Sequence, residues 1–146
     1  MDARIQYREA AVRGASPVQL VIYLYEQAIE DVRRAIVATE KGQIEARTQA
    51  INHALKVIGH LEGTIDMERG GEVAANLFRF YAGIRKGLVE GQIRQSSRIL
   101  QQQVSQLALV HEAWLEVERA ATPLSSLPSS IPGAASAETP HTDWNA

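Results

Sequence analysis

Four successive segments carry apolar residues at the 3.6-residue period of an α-helix, and this repetition constrains the fold more than any other feature. The first begins near Pro17, where Ser16 offers a capping hydroxyl and proline suits the first turn, and it closes at Lys41-Gly42. The second runs from Ile44 to Ile65, the third from Glu72 to about Gly91, and the fourth from Ser96-Ser97 to Val117. At roughly 20–25 residues each, the segments predict helices about 30–37 Å long.

The links between these segments are short, so neighbouring helices are expected to run antiparallel. No strand-like alternation competes with the helical period. The sequence therefore predicts an all-α, up-down-up-down four-helix bundle over residues 17–121, preceded by a short N-terminal arm, residues 1–16. Residues 122–146 hold four of the five prolines and many serines, which predicts a disordered C-terminal tail. Trp144 is interpreted as a chance residue of that tail rather than a docking anchor.

The composition excludes several kinds of function. The 146 residues carry a net charge of −2 with Lys and Arg scattered, which argues against nucleic acid or an anionic membrane as partner. Cysteine is absent, so disulfides, thiolate metal sites and thiol catalysis are excluded. No apolar stretch is long enough for membrane insertion and the N-terminus has no secretory signal, so a cytoplasmic protein is expected. Nothing indicates an enzyme, a metal or a cofactor.

The second and third segments meet at a double glycine, Gly70-Gly71, flanked by acidic residues. Glycine just past the end of a helix adopts the left-handed conformation at little energetic cost, so the pattern predicts a helix hairpin. Asp66 and Glu68 would then lie in the last turn of the second helix, where each carboxylate opposes the helix dipole by about 0.3–1 kcal/mol. We interpret these two acids as residues selected for something other than helix stability.

The third segment has more apolar residues than one buried face requires. Its core face centres on Val73, Leu77, Ile84 and Leu88, whereas Phe78, Ala82 and Val89 form a second stripe about 120–160° away. This stripe is either a partner-binding surface, a set of ordinary exposed apolar side chains, or a face that the neighbouring helix covers, and the sequence does not decide among them.

Glycine recurs at helical spacing in two segments, at Gly83, Gly87 and Gly91 in the third and at Gly59 and Gly63 in the second. Each costs about 1 kcal/mol relative to alanine inside a helix. Close helix–helix packing within the bundle is the favoured explanation, ahead of a shallow groove that admits a partner's backbone.

Histidines raise the possibility of phosphotransfer. His53-Ala54-Leu55-Lys56 is similar to part of a phosphotransfer motif, and His53 is predicted to be exposed, but Val57 replaces the small residue expected after the lysine. His111 lies at the edge of an apolar face and is expected to be a satisfied core residue. Phosphotransfer through His53 remains the alternative function, with a self-associating structural bundle as a third possibility.

An ordered set of residues resembles one known family. The set comprises Tyr7, Ala15-Ser16-Pro17, Leu20-Val21, Leu24-Tyr25-Glu26, Ala50-Ile51-Asn52, Asp66-Met67-Glu68-Arg69-Gly70-Gly71-Glu72, Ala74, Asn76-Leu77 and Tyr81. The order and spacing resemble the flagellin-specific export chaperones, the FliS family, over about residues 4–120. Gln27 departs from the pattern, standing where the family usually has glycine.

The resemblance implies a cytoplasmic helical bundle that binds the C-terminal segment of flagellin, prevents premature polymerisation and keeps the subunit competent for export. It also implies that an N-terminal segment, here containing Tyr7, covers part of the flagellin groove. Further partners would be a co-chaperone or a component of the export apparatus. The residues expected to bind flagellin are Ile5, Tyr7, Val12, Asn76, Leu77, Phe78, Tyr81, Ala82 and Val89.

Overall fold

A computed structural model describes residues 17–121, which form four helices. They are α1 (Pro17–Glu40), α2 (Ile44–Gly63), α3 (Gly71–Arg94) and α4 (Ser97–Ala121). The expected arm, residues 1–16, and the expected tail, residues 122–146, lie outside the described residues, and so do Ile5, Tyr7, Val12 and Trp144.

The helices close into a ring in chain order. α1 packs against both α2 and α4, while α3 packs less extensively between α2 and α4. Every link is short, so successive helices run antiparallel. The described residues contain no strand, and the prediction of an all-α, up-down-up-down four-helix bundle is confirmed.

The core consists of the apolar faces that the helical period predicts. The largest fully buried side chains include Tyr25, Tyr81, Ile51, Ile58, Leu61, Ile84, Leu88, Leu100 and Leu107. Burying each such aliphatic or aromatic side chain contributes about 1.5–3 kcal/mol to folding. Ile44, the first residue of α2, is an exception and is 63% exposed.

The link between α2 and α3 differs from the predicted hairpin. α2 ends at Gly63, so Asp66 and Glu68 lie in the loop and not in the last turn of a helix. The Oδ1 atom of Asp66 accepts hydrogen bonds from the backbone N–H groups of Glu68 (3.1 Å) and Arg69 (3.0 Å), which satisfies donors of the turn itself. The expectation that these acids oppose the α2 dipole was therefore wrong, because Asp66 organises the loop.

The double glycine serves the start of α3 and not the end of α2. Gly71 has a φ of +57°, a conformation that favours glycine, and is the first residue of α3. Gly70 precedes it, and a Cβ atom there would lie 2.7 Å from the backbone oxygen of Asp66. The loop thus requires glycine at both positions, for two different physical reasons.

The helical glycines divide into packed and open positions. A Cβ atom at Gly87 would lie 2.2 Å from the side chain of Gln103, and one at Gly91 would lie 2.6 Å from Leu100. Close packing within the bundle is confirmed at these two sites. It is wrong for Gly83 and Gly63, where a Cβ atom would meet nothing within 4 Å, and for Gly59, whose nearest neighbour would be 3.9 Å away.

This division predicts opposite effects of alanine at two positions of α3. Gly83→Ala is expected to stabilise the protein by about 0.4–1 kcal/mol, because the added methyl group meets open space and alanine favours the helix. Gly91→Ala is expected to destabilise it by about 1–3 kcal/mol, because Leu100 is fully buried and has no room to yield. Urea unfolding of both variants measures the difference, and equal shifts would contradict the packing described for Gly91.

Candidate binding surface on α3

The second apolar stripe of α3 is exposed. Phe78 is 49% exposed and Val89 is 43% exposed, and Ala82 between them also faces solvent. The stripe continues to Ile93, which is 74% exposed and was not predicted to belong to it because the apolar pattern placed the end of this helix near Gly91. Continuing the spacing from Phe78 through Val89 by one more turn would have found it. We call Phe78, Ala82, Val89 and Ile93 the α3 stripe.

The α3 stripe lies on the side of α3 that faces α2. Arg85, which falls between Ala82 and Val89, donates a hydrogen bond of 2.7 Å from its Nη2 atom to Glu62 of α2. The same guanidinium group passes within 3.9 Å of the position of a Cβ atom at Gly59. Gly59 and Gly63 of α2 are exposed, so the surface of α2 beside Arg85 carries no side chain at these two positions.

A second groove, of about 780 Å³, opens where α1 starts and α4 ends. Its apolar lining includes Leu20, Val21, Ile65, Val73, Leu77, Trp114 and Val117. Pro17, the first described residue, is also part of the lining, so the N-terminal segment joins the bundle at this groove. We call this cavity the end groove.

The predicted binding residues fall into different environments. Asn76 is exposed, and its side-chain oxygen accepts a hydrogen bond from Arg79. Leu77 is half-buried in the end groove. Phe78, Ala82 and Val89 lie on the α3 stripe. The structure therefore places Leu77 at the end groove and Phe78, Ala82 and Val89 on the α3 stripe, and it places Asn76 on neither surface.

Tyr81 is part of the core rather than of an exposed surface. It is only 1% exposed, lines the base of the end groove, and its hydroxyl oxygen accepts a hydrogen bond of 2.9 Å from the hydroxyl of Tyr25. Burial raises the pKa of Tyr25 to about 12, and burial followed by the neighbouring Tyr25 raises the pKa of Tyr81 further. Both phenols are therefore neutral, and the end groove is a described cavity that reaches Tyr81.

His53 is not exposed as predicted. Its side chain is 26% exposed, and its Nδ1 atom lies 2.5 Å from the Oδ2 atom of Asp31, a fully buried residue of α1. Arg34 also pairs with Asp31. The helical pattern placed His53 on the polar face of α2 but gave no sign of a buried carboxylate opposite it. His111, whose side chain is 17% exposed, has a partner as expected, with its Nε2 atom 3.0 Å from the Oε2 atom of Glu26, but it lies outside the core.

Asp31 predicts an unusual dependence of stability on pH. Burial raises the pKa of Asp31, while the hydrogen bond from His53 and the charges of His53 and Arg34 oppose the rise. The folded state then binds this proton more tightly than the unfolded chain, in which the pKa of Asp31 is 3.8. The contribution of Asp31 to stability therefore falls as the pH rises through the raised pKa. At higher pH, Asp31 therefore contributes less to stability than a neutral side chain of the same shape would.

Asp31→Asn is therefore expected to be at least as stable as the wild type at pH 7, with the difference shrinking as the pH approaches about 4. Urea unfolding at several pH values measures this, with the exposed Glu40→Gln as the control. An Asn variant that is clearly less stable at pH 7 would show that the ion pair outweighs the cost of burial.

Two kinds of site are absent from residues 17–121. No group of three or more His, Cys, Asp or Glu side chains is placed to hold a metal ion. Among the same residues, no helix has the length and apolar character needed to cross a membrane.

A closed helical bundle that leaves an apolar stripe uncovered is typical of proteins that bind a partner helix. The protein-family model described as "Flagellar protein FliS" matches residues 1–121, so the chain belongs to the FliS family, and the resemblance found in the sequence is confirmed.

Individual relatives support the same family assignment. The flagellar secretion chaperone FliSB of Pseudomonas aeruginosa is 34% identical over 118 residues, which cover 78% of this chain and 94% of the relative. The flagellar secretion chaperone FliS of Salmonella typhimurium is 31% identical over 75% of this chain and 82% of its own length. The protein of the same description from Bacillus subtilis is 24% identical over 74% of this chain and 80% of its own length. The family is one of chaperones and not of enzymes.

Proposed function

We propose that this protein is a cytosolic export chaperone that binds the C-terminal segment of flagellin. Binding would prevent premature polymerisation and keep the subunit competent for flagellar type III secretion. The observation that carries the proposal is the exposed α3 stripe, in a member of a family whose curated relatives are described as flagellar secretion chaperones.

The stripe suits an amphipathic helix as its ligand. Phe78 and Ile93 are separated by about 22 Å along α3, enough for roughly four turns of a bound helix. Ala82 and the exposed glycines of α2 are small, so a partner helix can approach closely, while Phe78 and Val89 supply the apolar contact area. A flagellin segment that is unfolded when free would order on this surface and hide its own apolar face.

The end groove provides a second contact region. Leu77 and Tyr81 line it, and the N-terminal segment that contains Ile5, Tyr7 and Val12 begins at its edge. We assign to this segment the role of covering the groove until flagellin arrives. A co-chaperone or a component of the export apparatus would bind elsewhere on the bundle; neither nucleic acid nor membrane has a role in this account.

The test is a polymerisation assay with purified flagellin. An equimolar amount of the protein is expected to suppress filament growth, as followed by light scattering, and Phe78→Ser is expected to suppress it less. Leu109→Ser, which alters an equally isolated apolar residue that is 74% exposed on α4, is the matched control. Filament growth that is unaffected by the wild-type protein would contradict the proposed function.

A further inference from the structure

The α3 stripe lies in a basic part of the chain. Between its two ends, Phe78 and Ile93, α3 carries three basic residues and one acidic residue, a net charge of +2. These residues are Arg79, Arg85, Lys86 and Glu90. The whole chain has a net charge of −2, so this positive charge is a local property of α3. A partner helix on the stripe would therefore meet a positive surface on a protein that is acidic as a whole.

Two of the cations lie along one edge of the stripe. At about 100° per residue, Lys86 projects about 50° and Arg79 about 70° from the centre of the stripe, both to the same side. Arg85 projects about 50° to the other side, where it contacts Glu62 of α2. Arg79 and Lys86 are seven residues apart, about two helical turns or 10.5 Å. The edge of the stripe away from α2 is therefore positive over two turns.

This edge has no counter-charge of its own. Arg79 and Lys86 are exposed, and Lys86 makes neither an ion pair nor a hydrogen bond with any described residue. Arg79 donates a hydrogen bond to the side-chain oxygen of Asn76, which is neutral, and has no acidic partner within residues 17–121. Glu90 lies one turn beyond Lys86 but pairs with Arg94, 3.5 Å away. Arg79 and Lys86 thus offer two positive charges to a partner on the stripe.

We propose that Arg79 and Lys86 select a client helix with acidic side chains along one flank of its apolar face, about two turns apart. This inference rests on the proposed function and adds to it the charge pattern of the client. Helices that pack nearly in line keep facing residues at matching intervals, so two carboxylates seven residues apart can face both cations.

The position of the two cations on a single edge sets the direction of the client. A client helix turned end for end would keep its apolar face on the stripe, but its acidic flank would move to the other edge. There Arg85 is already paired with Glu62, with 2.7 Å between its Nη2 atom and the Oε1 atom of the carboxylate. Apolar contact alone distinguishes poorly between directions and registers, whereas misplaced charges disfavour the wrong ones.

Ionic strength provides the first test. Exposed charge pairs contribute little affinity one by one, but they speed association and their effect is screened by salt. Raising the NaCl concentration from about 0.1 M to about 1 M shortens the Debye length from about 10 Å to about 3 Å, and we expect it to weaken flagellin binding about 3- to 10-fold. Affinity that is equal or higher at 1 M NaCl would contradict the inference.

The double variant Arg79→Glu with Lys86→Glu provides the second test. It is expected to weaken flagellin binding at least about 10-fold at about 0.1 M salt, mainly through slower association, as measured by surface plasmon resonance. Arg33→Glu with Lys41→Glu is the matched control, since it reverses two exposed cations on α1 and its link to α2, away from the stripe. The control should change affinity less than about 2-fold, and equal losses in the two variants would contradict the inference.

Both variants alter exposed side chains, so their midpoints of thermal unfolding should stay within about 3 °C of the wild type. If the reversal at α3 folds poorly, Arg79→Gln with Lys86→Gln removes the two charges without introducing repulsion. A loss of affinity of about 3-fold is then expected. Affinity equal to that of the wild type in this neutral variant would overturn the inference.

A charge swap identifies the acidic flank of the client. In a synthetic peptide of the flagellin C-terminal segment, each pair of acidic residues seven positions apart is replaced by lysine. One replaced pair should bind the Arg79→Glu, Lys86→Glu variant more tightly than the wild type. The absence of such a pair would overturn the inference. If the wild type fails to bind flagellin, the proposed function itself fails, whereas binding that is insensitive to Arg79 and Lys86 removes this inference alone.

Discussion

Replacing Phe78 and Val89 together by serine is expected to weaken flagellin binding about 30- to 300-fold, equivalent to about 2–3.4 kcal/mol. Both side chains are nearly half exposed in the free protein, so a partner can bury the remaining apolar area, and an aromatic anchor is typical of the residues that dominate such interfaces. Isothermal titration calorimetry with full-length flagellin measures the loss.

The same variant should fold normally, because the two side chains contribute little to the core. Its unfolding free energy is expected to stay within about 0.5 kcal/mol of the wild type, as for most surface substitutions. Leu109→Ser is the matched control for a general loss of apolar surface, since Leu109 is exposed on α4 and away from the stripe. Equal losses of affinity in Leu109→Ser and in the double variant would show that the α3 stripe is not a specific site.

Leu88→Ala is expected to lower the unfolding free energy by about 2–5 kcal/mol, because Leu88 is fully buried and its truncation leaves a cavity in the core. The neighbouring Val89→Ala should cost less than about 0.5 kcal/mol while weakening flagellin binding. Of two adjacent residues, the substitution of one would thus lower stability and that of the other would weaken binding, as expected of a helix with two apolar surfaces.

Urea unfolding of the two single variants gives the comparison directly. The slope of free energy against denaturant should be unchanged, since neither substitution alters the size of the folded structure. A loss of several kcal/mol in Val89→Ala would mean that Val89 belongs to the core and that α3 has a single apolar face.

The fold was largely predictable because, in helices of this length, the period of the apolar residues shows which face of the helix is buried. The start of α1 at Pro17 and the buried positions of Ile58, Ile84 and Leu107 follow from that period and from capping signals. The second apolar face of α3, with Phe78 and Val89, followed from the same argument, whereas its exposure is known only from the structure. Local patterns suffice where each residue's environment depends mainly on its place around its own helix.

Features that depend on a partner from another helix were not predictable. His53 was assigned to solvent because nothing in α2 reveals that Asp31 of α1 lies opposite it. The packed Gly91 and the open Gly83 look alike in sequence, and only the position of Leu100 distinguishes them. The burial of Arg47, which is 8% exposed in the first turn of α2, likewise had no signal in the sequence, since a charged residue in a first turn is ordinary.

Loop chemistry explains the remaining error. The helical pattern extended α2 as far as Ile65, but Thr64 ends the helix, and Asp66 then binds the backbone of the turn. Asp is favoured in such turns because its side chain accepts backbone hydrogen bonds within two or three residues. These local hydrogen bonds favour the turn, so α2 ends before its apolar pattern does.

The most direct test of the central claim is a calorimetric titration of the protein with flagellin and with flagellin that lacks its C-terminal segment. We expect saturable binding to the complete subunit, with a strongly negative heat-capacity change from coupled folding and apolar burial, and no measurable binding to the truncated one. Equal affinity for the two flagellins would contradict it.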